Sequence, residues 1–315
     1  MRLARLKDVH VGMYGAVMGI AGLGLSARAA ATLFPGVVRA PAYFTELWVA
    51  LGALALLLLL TLYLLKILYK WEAVKEDFTD PSLLGFCGAL PVGMTLVGGG
   101  VGSYIPALGD ALWWTGCALL ACFMLWTLVR WLAGGIELAK LNAGWLIILV
   151  GGIVVPGPGV SLGHVEASRC LFGVSACTAI LLMPLLFYRA GAVAPLPPGL
   201  RPTWFILLVP PSLIYANGLA LFPGAYLLEN LFFFAVLLFA ALLVFARGAL
   251  RWPFGPAWWA FTFPLDAFAY AAARYAQDHP GPLWKTVAAV ALLAASVAVV
   301  VVLLRTLRSA ASRRA

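Results

Sequence analysis

Apolar residues run through most of the chain in stretches of about twenty, the length that an α-helix needs to cross the hydrocarbon core of a bilayer. Short polar turns separate these stretches. The pattern predicts ten membrane-spanning helices, at residues 10–31, 44–68, 82–102, 108–133, 141–158, 167–188, 202–222, 226–247, 257–276 and 283–305.

The predicted spans alternate in kind. Odd-numbered spans contain helix-weakening glycine and proline, whereas even-numbered spans are smooth runs of Leu, Val, Ala and Phe, as at 229–246. Because irregular backbone at membrane depth needs protein or water beside it, the odd spans are predicted to face the interior and the even spans lipid. This predicts an all-α integral membrane fold of five helical hairpins in a quasi-fivefold arrangement around a central pore. The alternative is that the glycines only allow close helix packing, with no pore.

Composition and charge agree with a membrane protein, because 64% of the residues are hydrophobic and only 10% are charged. Of the 21 Lys and Arg residues, 16 fall on the side of the predicted termini. By the positive-inside rule, we expect a multi-pass protein of the plasma (inner) membrane with both termini in the cytoplasm. The net charge of +9 is scattered over short loops, which argues against nucleic-acid binding.

No polar stretch is long enough for a soluble domain, so residues 1–315 are predicted to form a single transmembrane domain. The longest such stretch, 69–80, is expected to be a solvated amphipathic extension of the second span that ends at Pro81. The three histidines lack the spacing of a metal site or a catalytic base, and no GxxxxGK[ST] sequence is present. We therefore expect no enzymatic activity, no metal and no cofactor.

The ninth span, which reads WWAFTFPLDAFAYAAAR at 258–274, carries Phe263, Pro264 and Asp266 near its middle. An interior proline removes a backbone hydrogen bond and kinks a helix, so this span is expected to lie beside a cavity. Asp266 is the acid placed deepest in a span, and such residues are functional candidates. Two roles stay open for it: a structural ion pair or hydrogen bond, or a proton-linked or cation-pairing group in a pathway.

Two arginines are predicted at the non-cytoplasmic ends of spans that face the interior. Arg28 ends the first span, and Arg274 lies two turns beyond Asp266. Two positive charges at one rim would raise the local concentration of anions. We expect them to form an anion-attracting mouth.

Three stretches resemble a known family: GMYGAVMGIAGLGLSAR at 12–28, DPSLLGFCGALPVGMTLVGG at 80–99 and WWAFTFPLDAFAYAAARYA at 258–276. They are similar to the tellurite-resistance/dicarboxylate transporter family, which includes bacterial tellurite-resistance proteins and plant slow anion channels. The likeness extends over the whole chain in span number and hairpin order, and it is sharpest in the W-A-[FY]-[ST]-F core of the ninth span. It implies a quasi-fivefold set of hairpins, a pore through each protomer and a homotrimer.

The resemblance also implies a gate, because an aromatic ring of the ninth helix blocks the pore in that family. The matching residue here is Phe263, next to Pro264. Small residues of the other interior spans are expected to face the ring and line the pore; the best matches are Gly15 or Gly19, Gly93 or Thr95, Gly152 and Pro210. Asp266 departs from the family pattern, which has a small or uncharged residue at this position.

These features predict an anion channel or facilitator for small inorganic or organic anions, surrounded by membrane lipids and gated by Phe263. The alternative is a proton-coupled secondary transporter of C4-dicarboxylates, sulfite or tellurium oxyanions, in which Asp266 carries the proton. A third interpretation is a membrane scaffold whose interior is packed solid.

Overall fold

The computed structural model describes residues 6–7, 9–38 and 44–312, and it contains helices and no β-strand within these ranges. The predicted all-helical membrane fold is confirmed. Both chain ends, predicted to be cytoplasmic, lie outside the described residues. Seven helices in the described ranges are long and apolar enough to cross a membrane: Phe44–Tyr69, Pro81–Gly102, Pro106–Leu132, Val165–Ala192, Pro198–Leu221, Tyr226–Phe245 and Pro282–Ser312.

The even-numbered predicted spans are uninterrupted α-helices, which we call the first to fifth long helices. They are Phe44–Tyr69, Pro106–Leu132, Val165–Ala192, Glu229–Phe245 and Pro282–Ser312. Between 28% and 33% of the most apolar stretch of each is buried within the protein. Because the remaining Leu, Val and Phe side chains point outward, these helices present the faces that suit acyl chains.

The odd-numbered predicted spans are not continuous α-helices, and we call them the first to fifth broken segments. They cover 11–30, 85–102, 145–161, 198–221 and 256–278, and each combines a 3-10 turn with an α-helix. The apolar stretches that contain the second and fourth are 89% and 83% buried. Broken segments therefore lie inside the molecule.

Proline marks the point where most broken segments change from irregular structure to α-helix. Pro91, Pro156, Pro210 and Pro264 each lie within the first three residues of an α-helix. At that position the backbone N–H has no acceptor within the helix, so proline costs little. The expected kink at Pro264 is wrong, because the α-helix begins at Thr262 and a 3-10 turn precedes it.

Contacts between the helices follow two rules. Each broken segment packs against the long helix that comes next in the chain, so consecutive elements form hairpins. The broken segments also contact one another in chain order, and the fifth contacts the first. These contacts close a cycle of five segments.

The polar stretch after the first long helix is amphipathic and mostly exposed, as expected, but it does not continue that helix and is docked on the protein. A separate helix, Trp71–Thr79, places the carboxylate of Asp77 2.7 Å from Nζ of Lys66. Both side chains are almost fully buried. The hydroxyl of Tyr63 donates to the same carboxylate at 2.9 Å, and Lys66 also donates to the carbonyl of Val9. A buried ion pair with these extra hydrogen bonds fixes the position of the helix.

Candidate functional site

Among the described residues, two neighbouring cavities lie along the broken segments. The first, which we call the apolar cavity, is small, with a volume of about 40 Å³. All five broken segments contribute to its wall, which consists of apolar side chains, glycine and proline; examples are Gly15, Val92, Val150, Pro210 and Trp259. Nε1 of Trp259 is buried and has no hydrogen-bond partner.

The second cavity, which we call the polar cavity, has a volume of about 370 Å³. It is also lined by all five broken segments and the turns that follow them. Its wall carries Ser26, Arg28, Asn217, Asp266 and Tyr270 among apolar residues. No residue of a long helix lines either cavity. The alternation seen in the sequence therefore corresponds to lining and non-lining elements.

Phe263 lies between the two cavities. It is 6% exposed and lines both of them, as does Val154 of the third broken segment. Phe263 is the second residue of its α-helix, directly after the 3-10 turn Pro256–Phe261. The start of this helix therefore sets the height of the ring along the interior.

Gly22 makes room for both Phe263 and Asp266. A Cβ atom added at Gly22 would lie 3.0 Å from Cδ2 of Phe263 and 2.9 Å from Oδ2 of Asp266. The ring and the carboxylate therefore contact the same point of the first broken segment. Sequence reasoning missed this position, although the spacing of Gly15, Gly19 and Gly22 at helical intervals was a signal for it.

Three of the predicted lining residues border a cavity, since Gly15, Pro210 and Pro264 all line the apolar one. The other four line neither cavity, and they lie at contacts between elements. Gly19 contacts the side chain of Thr262, Gly93 contacts Val17, Thr95 contacts Gly116, and Gly152 contacts Leu171 and Ser175. Small size at these four positions permits close packing, which is the alternative that the sequence left open.

The structure does not bring the two arginines of the predicted mouth to the same cavity. Arg28 borders the polar cavity, but its Nη2 lies 2.8 Å from the carboxylate of Glu46 and also donates to the carbonyl of Gly100, while its Nη1 donates to Ser103. Arg274 is partly buried and lines neither cavity. The positive charge at the polar cavity is therefore largely neutralised by Glu46.

Asp266 and Asn217 bring unpaired oxygen atoms to the polar cavity. Both oxygens of Asp266 and Oδ1 of Asn217 are buried without a hydrogen-bond partner. One hydrogen of the Asn217 amide nitrogen donates to the carbonyl of Ile153 at 2.7 Å. Among the described residues, no group of three or more His, Cys, Asp or Glu side chains could hold a metal ion.

Comparison with known proteins relates the chain to anion channels. The sequence profile of a family described as SLAC1, voltage-dependent anion channel, matches residues 8–307. The chain is 28% identical to S-type anion channel SLAH3 of Arabidopsis thaliana over 276 residues, which are 84% of this chain and 43% of that protein. It is 25% identical to Guard cell S-type anion channel SLAC1 of the same plant over 234 residues, 70% of this chain and 41% of that protein.

A bacterial protein is similar over most of both chains. The chain is 22% identical to the Tellurite resistance protein TehA homolog of Haemophilus influenzae over 279 residues, which are 87% of this chain and 84% of that protein. By contrast, the chain spans less than half the length of the two plant relatives above.

Substituting Gly152 distinguishes a lining residue from a packing residue. In Gly152→Ala, the added Cβ would lie 2.5 Å from the carbonyl oxygen of Leu171. We expect this overpacking to lower the free energy of unfolding by about 1–3 kcal/mol. The measurement is thermal unfolding of the purified protein in detergent.

The matched control is Gly173→Ala in the third long helix, where a Cβ would meet nothing within 4 Å. Alanine there is expected to leave stability unchanged or to raise it by up to about 1 kcal/mol. If Gly152→Ala unfolds at the temperature of the parent, Gly152 is not held at a tight contact.

Proposed function

Since the chain belongs to the voltage-dependent anion channel family, we propose that it is an anion channel or facilitator whose path joins the two cavities and is closed by Phe263. The family predicted from three short stretches is confirmed by the match over residues 8–307. The single observation that supports the proposed gate is the position of Phe263, which borders both cavities.

In this proposal, ten spans form five hairpins in a quasi-fivefold arrangement around the path. The closed cycle of contacts among the broken segments supports it. A second support is that every lining residue belongs to a broken segment or to the turn beside one. The scaffold interpretation, with a solid interior, is disfavoured because two cavities are present.

A phenyl ring between the cavities acts as a dry plug. An ion that enters the apolar cavity loses hydration, and this cavity offers few polar groups in exchange. The ring therefore closes the path both by occupying it and by excluding water. When the ring swings away, the cavities join, and anions that shed water at the lowest cost pass most easily.

We further propose that residues 1–315 work as one transmembrane domain in the plasma (inner) membrane. The concentration of basic residues on the side of the termini supports a cytoplasmic location for both ends. A homotrimer with one path in each protomer is proposed from the family resemblance. The substrates are small inorganic or organic anions.

A proton-coupled carrier is the second candidate, and the unpaired carboxylate of Asp266 favours it. Its substrates would be C4-dicarboxylates, sulfite or tellurium oxyanions. Uptake into proteoliposomes separates the two candidates. A channel follows the membrane potential alone, whereas a carrier accumulates its anion when only a proton gradient is imposed.

Removing the ring at position 263 tests the gate. We expect Phe263→Ala to raise anion conductance in planar bilayers at least about tenfold, because the dry barrier between the cavities is lost. The measurement is single-channel and macroscopic current with chloride and nitrate as the permeant ions.

Phe268→Ala is the matched control on the same helix. Phe268 is fully buried and stacks on Phe239 at 4.5 Å between ring centroids, and it lines neither cavity. Its truncation destabilises the fold without opening the path. A current from Phe263→Ala that stays at background, with the protein intact in the membrane, would contradict the gate.

Glu46 is expected to restrain conduction by neutralising Arg28. In the Phe263→Ala background, Glu46→Gln should raise anion conductance at low ionic strength, because the guanidinium then attracts anions to the polar cavity. The gain should shrink in concentrated salt, which screens the charge. The control is Glu166→Gln, which breaks the exposed pair with Arg169 away from both cavities. Equal effects of the two substitutions would show that Arg28 has no special role.

A further inference from the structure

The buried wall of the polar cavity carries hydrogen-bond acceptors that have no partner. Asp266 is 1% exposed and Asn217 is 2% exposed, and their three acceptor positions named above have no partner. Of the buried donors on this wall, the hydroxyl of Ser26 donates to the carbonyl of Leu23, and one of the two amide hydrogens of Asn217 donates to the carbonyl of Ile153. Unpaired acceptor oxygens repel an anion, so the part of the wall around Asp266 is poorly matched to an anion.

No basic side chain is paired with Asp266 among the described residues. Arg28 of the first broken segment borders the same cavity, but it is bound to Glu46. The second and third broken segments contribute no titratable side chain to this wall, and the fourth contributes Asn217. On its own helix, Asp266 is followed by Tyr270 on the wall and by Arg274 away from it.

The remaining charged groups on elements packed against this helix lie near the ends of those elements. Glu229 begins the fourth long helix and lies 3.7 Å from His279. Arg201 and Arg305 lie over aromatic rings at the other end, and Lys285 lies over Phe34. None of them compensates a charge on Asp266.

The charges around the polar cavity decide whether an anion can enter. Arg28 and Glu46 cancel, so an ionised Asp266 would leave a net charge of −1 beside the ring of Phe263. A proton on the carboxylate changes this sum to zero. It also adds an O–H donor beside the unpaired acceptor oxygens. An unpaired buried carboxylate avoids its desolvation cost in the same way, by taking up a proton.

We propose that Asp266 is a proton-binding site in the polar cavity and that anions pass only when it is protonated. The inference rests on the proposed function, which supplies the path. In the binding step, hydronium from the water of the polar cavity gives its proton to a carboxylate oxygen, and water is released. The neutral acid then donates a hydrogen bond to the anion. The proton returns to water, or it leaves with the anion.

The anion current through the Phe263→Ala variant, whose path is expected to be open, tests the proposal. In the Phe263→Ala background, anion current should rise roughly tenfold or more as the pH on the polar-cavity side falls from about 8 to about 5, since protonation removes a repelling charge. Asp266→Asn mimics the neutral acid in shape, so its current should be high at every pH in this range. Asp278→Asn, the same substitution at the exposed end of the same helix, should keep the pH dependence.

Two results from the current measurement would overturn the proposal. One is a current through Phe263→Ala that does not change with pH on the polar-cavity side. The other is an unchanged pH dependence in the double variant that carries Asp266→Asn. His164→Gln and His279→Gln, which remove titratable groups outside the polar cavity, serve as further controls and should retain the dependence of the Phe263→Ala parent.

Infrared spectroscopy of the protein in lipid detects the protonated carboxyl group of Asp266 without a transport measurement. The carbonyl band of a protonated carboxylic acid should be present near neutral pH, absent in Asp266→Asn and retained in Asp278→Asn. Absence of this band from the parent, even at acidic pH, overturns the proton site. If the band is present but Phe263→Ala carries no current, the proton site is supported and the proposed channel function is overturned.

Discussion

Backbone N–H and C=O groups that enter a bilayer must find hydrogen-bond partners inside the protein, because acyl chains offer none. A continuous α-helix meets this demand by itself, and the five long helices do so while exposing their apolar faces. A segment with proline where a 3-10 turn changes to an α-helix has one N–H donor fewer for its own carbonyl groups. Such a segment must be surrounded by other protein or by a cavity. This constraint decides which elements can line an interior path.

The junctions between 3-10 turn and α-helix also determine where the candidate site residues lie. In the fifth broken segment, the α-helix begins at Thr262, so Phe263 and Pro264 lie at the height where the two cavities meet, and Asp266 lies one turn further. On one side of the ring, the wall is made of glycine, proline and apolar side chains. On the other, it holds unpaired oxygens and a neutralised arginine. The proposed barrier, Phe263, and the proposed proton site, Asp266, are therefore neighbours on one helix.

The alternation of broken segments and long helices could be predicted from the sequence, because the two kinds of element differ in residue composition. Glycine and proline concentrate in the broken segments, and unbroken apolar runs form the long helices. The family resemblance singled out Phe263 before any geometry was known. Burial of Asp266 could also be anticipated from its place within an apolar run.

The side of a helix that faces a cavity was harder to predict. Gly15 borders a cavity whereas Gly19, one turn away, packs against Thr262, and composition does not distinguish them. The pairing of Arg28 with Glu46 depends on how two helices meet, and so does the docking of Trp71–Thr79 through Asp77 and Lys66. Contacts between residues far apart in the chain leave no periodic signal in a single sequence.

Labelling of single cysteines on either side of the ring tests most directly whether one path is interrupted at Phe263. In a background without the five native cysteines, Leu213→Cys lines the polar cavity and Val209→Cys the apolar one. A membrane-impermeant thiol reagent added on the polar-cavity side should label only position 213 when Phe263 is present. It should label both positions in Phe263→Ala. Labelling of position 209 with the ring in place, or its continued protection after the ring is removed, would contradict the account.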